Sequence, residues 1–313
     1  MEYKIFDDFE AFAATVRDVD SKMMFRNPKN RIWRIGQLEL SGIHLQLGQV
    51  GSGNILEGKS DDNGYLFYLP LTNKIEYLGN GIAFDVNSMA IFEPGCDFCL
   101  ATKVEHDWCT AFLPTTLLPP PNELSEPLLS PEKSIFRVAH PNQRVINRFR
   151  WLMANIDVAS TQCTDFQSTP AAKVAREELQ QILLSLLYGV QTVKPNLEGR
   201  PKIPREQIIA RCRNLLEQRK SKTISVKDLA AVAQVSERTL RTTFNEYFGI
   251  SPAYYIKLRQ LYQVYRALRA QESKKVLISD VMAAYGVWEL GRFTRQYHRL
   301  FGELPSDTLR HSS

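Results

Sequence analysis

The sequence predicts a two-domain α+β protein: an N-terminal antiparallel β-sandwich or barrel with helices, followed by a C-terminal domain made of helices alone. The 313 residues exceed one typical domain of about 100–200 residues. Ten of the 16 glycines lie in residues 31–113 between short apolar runs, which is typical of β structure. From residue 203 onward, apolar residues instead recur at helical spacing, which predicts an all-α domain.

The β domain is predicted by short apolar runs separated by Gly and Asn. Residues 43–47, 65–69 and 111–113 are three such runs, and a spacing of about 8–12 residues between them is typical of a sandwich or barrel. Residues 114–131 then contain six of the 16 prolines. Because proline fits neither a helix interior nor a central strand, this stretch is predicted to be a connector.

Two helices are predicted after the proline-rich stretch, each with one apolar face. The first face contains Val145, Phe149, Leu152 and Ile156, and the second contains Leu179, Ile182, Leu183, Leu186 and Val190. This spacing is that of an amphipathic helix. Two interpretations are open: both helices pack onto the β domain, or the second face pairs with its copy in a homodimer.

A linker is predicted over residues 194–204, which contain three prolines and a glycine. The expected domains are therefore 1–193 and 205–313. Charge divides the chain in nearly the same place, since residues 201–313 contain 20 Lys and Arg against 10 Asp and Glu, whereas the rest contains 19 against 24. A basic domain joined to an acidic one is the pattern expected when the basic domain faces a polyanion.

The first part of the helical domain has the spacing of a helix-turn-helix unit. Ser225 is predicted to cap a helix that ends at Gln234, with Asp228 completing a capping box. After a short turn, Ser236 is predicted to cap a second helix that runs over residues 237–248. Two helices joined by so short a turn are the arrangement that many DNA-binding proteins use.

A second segment repeats this plan. Ser279 is predicted to precede a short helix, Gly286 supplies a tight turn, and residues 289–301 form the next helix. The two copies also end alike, in Phe248-Gly-Ile-Ser-Pro252 and Phe301-Gly-Glu-Leu-Pro305. Between them, residues 253–270 are predicted to form one long helix, a rigid spacer that allows the two units to enter major grooves about 34 Å apart.

The second helix of each unit is predicted to have a core face and an outer face. The inward residues are Leu240, Phe244 and Phe248 in the first unit and Phe293, Tyr297 and Leu300 in the second. The outward residues are Glu237, Arg238, Arg241, Thr242 and Asn245, followed in the second unit by Glu289, Arg292, Arg295, Gln296 and Arg299. Arg, Asn, Gln and Glu are side chains that hydrogen-bond base edges in the major groove, so both outer faces are candidate DNA-binding surfaces.

On these residues the helical domain resembles the DNA-binding domain of AraC/XylS-family transcription regulators. The resemblance is carried by Leu229-Ala-Ala-Val-Ala-Gln-Val-Ser-Glu-Arg-Thr-Leu-Arg241, by Phe248-Gly-Ile-Ser-Pro252, and by Gly286-Val-Trp-Glu-Leu-Gly-Arg-Phe-Thr-Arg-Gln-Tyr-His-Arg-Leu-Phe-Gly-Glu-Leu-Pro305. It covers roughly a third of the chain, with dense and correctly spaced motifs.

The resemblance implies base contacts in both units. They fall on Arg238, Arg241 and Thr242 in the first unit and around Leu290, Gly291, Arg292, Thr294 and Arg295 in the second. One departure is present: where the family usually has Gly-Phe followed by small polar residues, this chain has Gly286-Val-Trp-Glu-Leu-Gly291. Contacts at the start of the second recognition helix are therefore less transferable from the family.

The resemblance also implies a cupin-like N-terminal domain that binds a small effector, forms dimers, or both. Seven aromatic residues are candidates to line a pocket, although large aromatics in a β-rich stretch usually form the core. They are Trp33, Phe67, Tyr68, Tyr77, Phe84, Phe92 and Trp108.

No metal site or catalytic site is predicted. Only His44 and His106 lie in the β region, without a His-x-His pair and a nearby carboxylate. Cys96, Cys99 and Cys109 lack a second CxxC pair or a histidine pair. All five cysteines, including Cys163 and Cys212, are interpreted as reduced thiols, with structural roles for the first three.

The chain is therefore predicted to be a sequence-specific DNA-binding transcription regulator and not an enzyme. The expected partners are double-stranded promoter DNA, a small-molecule effector, RNA polymerase and a second copy in a homodimer, without a cofactor. Because the N-terminus lacks a secretion signal and no apolar run reaches the ~20 residues that span a bilayer, a cytoplasmic location without membrane contact is expected. Two alternatives stay open: a regulator controlled by a protein partner instead of a ligand, and a cysteine-based DNA-repair protein.

Overall fold

The structure, a computed structural model, forms two compact units. The first unit comprises Met1–Met23 and Lys29–Asn196, and the second comprises Met24–Pro28 and Leu197–Ser313. The residues described are 1–26, 28, 30–120, 135–189, 203–219, 224–271 and 276–311. Most of the predicted linker and of the proline-rich connector lies outside the described residues, and the domain boundaries 1–193 and 205–313 stay a prediction.

The described residues of the first unit form two β-sheets, and the glycine and apolar pattern had predicted β structure there. Its strands are β1 (Glu2–Phe6), β2 (Val19–Arg26), β3 (Trp33–Leu40), β4 (Ile43–Val50), β5 (Gly53–Ser60), β6 (Gly64–Pro70), β7 (Tyr77–Gly79), β8 (Ile82–Phe84), β9 (Met89–Phe92), β10 (Asp97–Thr102), β11 (His106–Pro114) and β12 (Phe136–Ala139). The larger sheet has the order β1-β3-β4-β11-β6-β9-β12, and the smaller has the order β2-β5-β10-β7-β8.

The three apolar runs singled out in the sequence lie in β4, β6 and β11, which are neighbours in the larger sheet. β11 pairs antiparallel with β4 and with β6, so that Thr110 lies opposite Gln46 on one side and Tyr68 on the other. This register places one face of each strand toward the smaller sheet. A sandwich of two antiparallel sheets, not closed into a barrel, is therefore the N-terminal architecture.

Among its described residues, the first unit also contains the helices α1 (Phe9–Thr15), α2 (Gln143–Gln162) and α3 (Pro170–Gly189). Apart from Val190, which lies outside the described residues, the predicted apolar residues of α2 and α3 pack into one hydrophobic core with residues of the larger sheet such as Leu45, Phe67 and Ala111. Leu179, Ile182, Leu183 and Leu186 are all buried within this single chain. The interpretation that this face pairs with its copy in a homodimer is therefore wrong, because the unit's own core already covers it.

The second unit contains helices together with Met24–Pro28, of which Phe25 and Arg26 contact the helices. The helices are α4 (Arg205–Gln218), α5 (Val226–Ala233), α6 (Glu237–Phe248), α7 (Pro252–Arg269), α8 (Ile278–Ala284), α9 (Leu290–Phe301) and α10 (Pro305–His311). The predicted helices at 237–248 and 253–270 are confirmed to within one residue. No helix among the described residues is long and apolar enough to span a bilayer.

The start of α8 differs from the prediction. The helix begins at Ile278, Leu277 occupies the N-cap position without a side-chain hydrogen bond, and Ser279 lies inside the first turn. The Ser279 hydroxyl bonds instead to the carboxylate of Asp280 at 3.4 Å. The prediction that Ser279 precedes the helix is wrong, because the backbone N–H groups of Asp280 and Val281 already donate to the Leu277 carbonyl.

Candidate nucleic-acid interface

The first helix-turn-helix unit begins with a capping box. The Ser225 hydroxyl accepts a hydrogen bond from the Asp228 backbone N–H, and the Asp228 carboxylate accepts one from the Ser225 backbone N–H at 2.7 Å. The Ser225 hydroxyl also donates to the Asp228 carboxylate at 2.7 Å, and this hydrogen bond, together with the one from the Ser225 backbone N–H, lowers the pKa of Asp228. The helix α5 ends at Ala233, and the next residue, Gln234, reverses the chain with a φ of 58°. Ser236 then caps α6 through the Thr239 N–H.

The core face of α6 is the predicted one. Leu240, Phe244 and Phe248 are buried, and Gly249 ends the helix with a φ of 65°. Arg238, Arg241, Thr242 and Asn245 are exposed, and Glu237 is half-buried. Four of the five candidate residues on α6 are therefore accessible to a macromolecule that approaches this face.

The two arginines of α6 differ in their charged neighbours. The Arg241 guanidinium lies 3.3 Å from the Glu237 carboxylate, one turn away. Arg238 makes no hydrogen bond or ion pair with any residue that the structure describes. An exposed pair one turn apart on a helix contributes only a few tenths of a kcal/mol, so both guanidinium groups are available to an anionic or base-edge acceptor.

The second helix-turn-helix unit repeats this construction. Gly286 has a φ of 72°, and the Val287 N–H donates to the Met282 carbonyl at 3.0 Å, so the turn is fixed before α9 begins. On α9 the predicted core residues Phe293, Tyr297 and Leu300 are buried. Glu289, Arg292, Arg295 and Arg299 are exposed, whereas Thr294 and Gln296 are half-buried. The outer face of α9 is thus richer in arginine than that of α6.

Lys257 of α7 adds positive charge beside the start of α9. Its ammonium lies 4.5 Å from the centroid of the Phe293 ring. Burial and the nearby Arg292 lower the pKa of Lys257. Arg292 in turn pairs with Glu289 at 3.4 Å, so Glu289 offsets part of the local positive charge.

The long helix α7 joins the two helix-turn-helix units. It has 18 residues, which corresponds to a length of about 27 Å at ~1.5 Å per residue. Its N-terminus is capped by Ser251, with Pro252 in the first turn. This length is comparable to the ~34 Å of one turn of B-DNA, the spacing between successive major-groove segments on one face.

Two features of this surface were missed in the sequence. Arg211 of α4 donates to the carbonyl of Ala233 and to the side chain of Gln234, both at 3.2 Å, and so satisfies the end of α5. Trp288, two residues before the start of α9, is 76% exposed. The first feature depends on tertiary contact, but the second had a visible signal, because Trp288 lies in the segment that departs from the family pattern.

A cavity in the first unit lies between the two sheets. Its lining is mostly apolar, and Tyr68, Phe92 and Trp108 are the three predicted aromatics that contribute to it. Trp33, Phe67, Tyr77 and Phe84 are buried and do not line it. The ring of Trp108 packs directly on Gly48, where a Cβ atom would lie 2.2 Å away. The prediction that most of these residues form the core is confirmed.

The polar groups of this cavity are connected to one another. The Thr102 hydroxyl donates to Asn54 Oδ1 at 2.9 Å, and it lies 3.2 Å from His106 Nδ1. Gln46 Nε2 donates to the Thr110 hydroxyl at 3.2 Å. Burial lowers the pKa of His106 to about 4, so this histidine is neutral at pH 7. The cavity is therefore a largely apolar space, and the exposed Arg17 is the charged side chain among its described lining residues.

The cysteines of the first unit are buried thiols. Cys96, Cys99 and Cys109 are buried, and none of the three forms a disulfide. Burial raises the pKa of Cys96, and it raises the pKa of Cys109 to about 12. Within the described part of the chain, no group of three His, Cys, Asp or Glu side chains is close enough together to hold a metal ion.

Comparison with known proteins places the helical unit among regulators. Residues 229–311 match the family described as a helix-turn-helix domain. The XylDLEGF operon transcriptional activator 2 of Pseudomonas putida is 33% identical over 120 residues, which are 38% of this chain and 76% of that relative. The XylDLEGF operon transcriptional activator of the same organism is 29% identical over 159 residues, 50% of this chain, and the alignment spans about half of that relative, 48%.

Two solved structures are similar over most of the chain. The AraC-like transcriptional activator CuxR matches with a TM-score of 0.45 and 9% identity, covering 90% of this chain and 100% of that one. ToxT from Vibrio cholerae matches with a TM-score of 0.31 and 7% identity, covering 95% of this chain and 99% of that one. Both TM-scores lie below 0.5.

Proposed function

Because the chain belongs to the AraC/XylS family of transcription regulators, we propose that its two helix-turn-helix units read successive major-groove segments on one face of promoter DNA. Arg238, Arg241, Thr242 and Asn245 read the first segment, with Glu237 beside them. The second segment is read by Glu289, Arg292, Thr294, Arg295 and Gln296.

One observation carries this proposal. Each helix-turn-helix unit presents an exposed face with arginines on a helix whose opposite face is buried in the core. The single helix α7 connects the two helix-turn-helix units. A side chain can read a base only if its helix is held rigidly in the groove, since phosphate contacts alone carry no sequence information. The excess of Lys and Arg in residues 201–313 supplies the non-specific, salt-dependent attraction.

The test is recovery of a DNA motif by the full-length protein. Genomic fragments are pulled down at near-physiological salt with the unaltered protein and with the Arg238→Ala/Arg241→Ala variant. We expect a shared motif that this variant loses. The matched control is Arg144→Ala/Arg148→Ala on α2, which removes the same charge from an exposed helix of the first unit and should retain the motif. Salt-sensitive binding without any motif would contradict sequence-specific reading.

We further propose that the cavity between the sheets holds a small, largely apolar effector. This proposal rests on the combination of apolar walls with the polar groups of Asn54, Thr102 and Thr110, which line the same cavity. Pockets of this composition are typical of small-molecule sites, because the apolar walls supply affinity and the few polar groups fix orientation.

A thermal-shift screen tests the effector proposal. A bound molecule should raise the melting temperature of the unaltered protein and should not do so in Leu56→Phe, which narrows the cavity at a half-buried lining position. The control Leu71→Phe alters a half-buried leucine that does not line the cavity. If no compound shifts the unaltered protein, control by a protein partner becomes the favoured alternative.

The remaining partners are proposals from family membership. RNA polymerase and a second copy of the chain are expected to bind the regulator on DNA.

A cysteine-based repair activity is disfavoured, because a nucleophilic thiol needs a lowered pKa and access to substrate. Cys109 has neither, since it is fully buried and its pKa is about 12.

A further inference from the structure

An apolar corner lies at the start of the second recognition helix. Trp288 is the most exposed of the large hydrophobic side chains in the part of the chain that the structure describes, at 76%, and Leu290 is 42% exposed. An indole in water leaves on the order of 200 Å² of mostly apolar surface without a packing partner. This surface, near the start of a candidate recognition helix, is available for contact with another molecule.

The backbone of this chain holds Trp288 in its exposed position. The preceding Val287 is buried and hydrogen-bonded to Met282, and Gly286 fixes the turn with its positive φ of 72°. No hydrogen bond, ion pair or ring contact joins the Trp288 side chain to another described residue. The tryptophan is therefore presented outward by a fixed turn.

Gly291 is an independent observation at the same corner. A Cβ atom built on Gly291 would meet nothing within 4 Å, and its φ is not in the left-handed region. Neither the packing nor the backbone of this chain requires glycine there, although glycine weakens a helix relative to alanine. A partner that approaches closely at this point would explain its presence.

The two recognition helices differ at these positions. When they are aligned on their Phe-Gly ends, Phe248-Gly249 and Phe301-Gly302, Leu290 and Gly291 occupy the positions of Glu237 and Arg238. The first recognition helix therefore presents a charged pair of residues where the second recognition helix presents an apolar pair. The two units are built for chemically different stretches of DNA.

We propose that Trp288 and Leu290 contact thymine C5-methyl groups in the second major-groove segment, with Gly291 leaving room for the base edge, and that this contact selects thymine there. The proposal rests on the proposed function. Duplex DNA is the favoured occupant, because the corner is continuous with the outer face of α9 and is flanked by Arg292 and Arg295. The thymine methyl is the apolar group that the major groove offers.

The test removes that methyl group alone. Starting from the motif recovered with the full-length protein, each thymine of the second segment is replaced in turn by deoxyuridine, and binding is measured by fluorescence anisotropy. The unaltered protein should lose about fourfold in affinity at one or two positions, the change expected for one exposed methyl group. Trp288→Ala and Leu290→Ala should bind the thymine duplex about tenfold more weakly and should show no further loss with deoxyuridine.

Two controls separate this contact from general effects. Trp151→Ala, at an exposed tryptophan of α2, should leave affinity unchanged. Arg241→Ala, in the first helix-turn-helix unit, should weaken DNA binding but should retain the full loss of affinity on replacement of thymine by deoxyuridine. Because Trp288 is exposed, the Trp288→Ala variant should keep its melting temperature.

Several outcomes overturn the proposal. One is equal binding of thymine and deoxyuridine duplexes by the unaltered protein, and another is a deoxyuridine loss that persists in Trp288→Ala. If Trp288→Ala binds DNA normally but loses transcription in a reconstituted assay with RNA polymerase, the corner docks a protein instead. Failure to recover any motif would overturn the proposed function as well, whereas a motif that is insensitive to Trp288 overturns this inference alone.

Discussion

At the residue scale, the interface depends on which charged groups are already engaged. Arg241 is held by Glu237 at 3.3 Å, and both side chains are accessible to solvent. An exposed pair of this kind is weak, so Arg241 can exchange the carboxylate for the O6 and N7 atoms of a guanine. Bidentate recognition needs the planar guanidinium, which lysine lacks.

Arg241→Ala should therefore cost about 1–3 kcal/mol at one base position of the site, with little change at the others. The measurement is a set of binding curves for duplexes that carry each single base change. Arg241→Lys should restore the salt dependence but not the base preference. A loss that is uniform across all duplexes would instead assign Arg241 to a phosphate.

The buried His106 makes the first unit sensitive to acid. Its Nδ1 lies 3.1 Å from the carbonyl oxygen of Val104, which only accepts, so Nδ1 carries the proton. Burial lowers the pKa of His106 from 6.5 to about 4. Between these two values, the unfolded chain binds a proton that the folded chain does not, so stability falls as pH falls.

We expect a loss of about 3 kcal/mol from this residue between pH 6.5 and 4. Urea unfolding of His106→Gln at several pH values should show a flatter acid-side dependence than the unaltered protein. His298→Gln, at an exposed histidine of α9, should leave the dependence as it was. Parallel pH curves for His106→Gln and the unaltered protein would contradict the assignment.

At the element scale, two serines near helix starts have different roles. Ser225 completes a reciprocal capping box with Asp228, whereas Ser279 lies within the first turn of α8 and caps nothing. Ser225→Ala should lower the free energy of unfolding of the second unit by about 1 kcal/mol. Ser279→Ala, the same chemical change, should stay within about 0.5 kcal/mol. Urea unfolding compares the two, and equal losses would show that the capping box contributes nothing particular.

The same elements show how far local signals determine the fold. The bounds of α6 were predictable because Ser236, the apolar residues from Leu240 to Phe248, and Gly249 all agree on one helix. The start of α8 was not, because its first turn forms on the Leu277 carbonyl without any side-chain cap. The half-buried state of Thr294 and Gln296 also escaped helical periodicity, since neighbouring elements determine it.

At the scale of the whole molecule, the prediction from sequence stops where distant segments meet. The cavity requires the register of β4, β6 and β11 against the smaller sheet, and no local pattern encodes that register. The Met24–Pro28 segment was likewise hidden, since its sequence reads only as the end of a strand. Its packing partners lie more than two hundred residues further along the chain.

The Met24–Pro28 segment contacts parts of both helix-turn-helix units. The Phe25 ring lies edge-on to Tyr262 and Phe301, with centroids 5.9 and 6.2 Å away. The Phe25 backbone N–H donates to the Tyr262 hydroxyl at 2.8 Å. Arg26 is buried and donates to the carbonyl of Gly249, the residue that ends α6. One segment thus packs against the end of each recognition helix.

Phe25→Ala should therefore destabilise the second unit, although residue 25 lies far from it in sequence. Removing a buried phenylalanine costs about 3–5 kcal/mol, so amide hydrogen exchange in α7 and α9 should accelerate by more than about a hundredfold where exchange follows the opening equilibrium. Phe98→Ala, the same change at a buried position of the first unit, should leave exchange in α7 and α9 unaltered. Because Phe25 packs on Tyr262 and Phe301, unchanged protection of both helices in Phe25→Ala would show that the segment adds nothing to the stability of the DNA-binding unit. Faster exchange confined to α7 and α9 would instead mean that a helical fragment beginning at residue 197 lacks part of its own core.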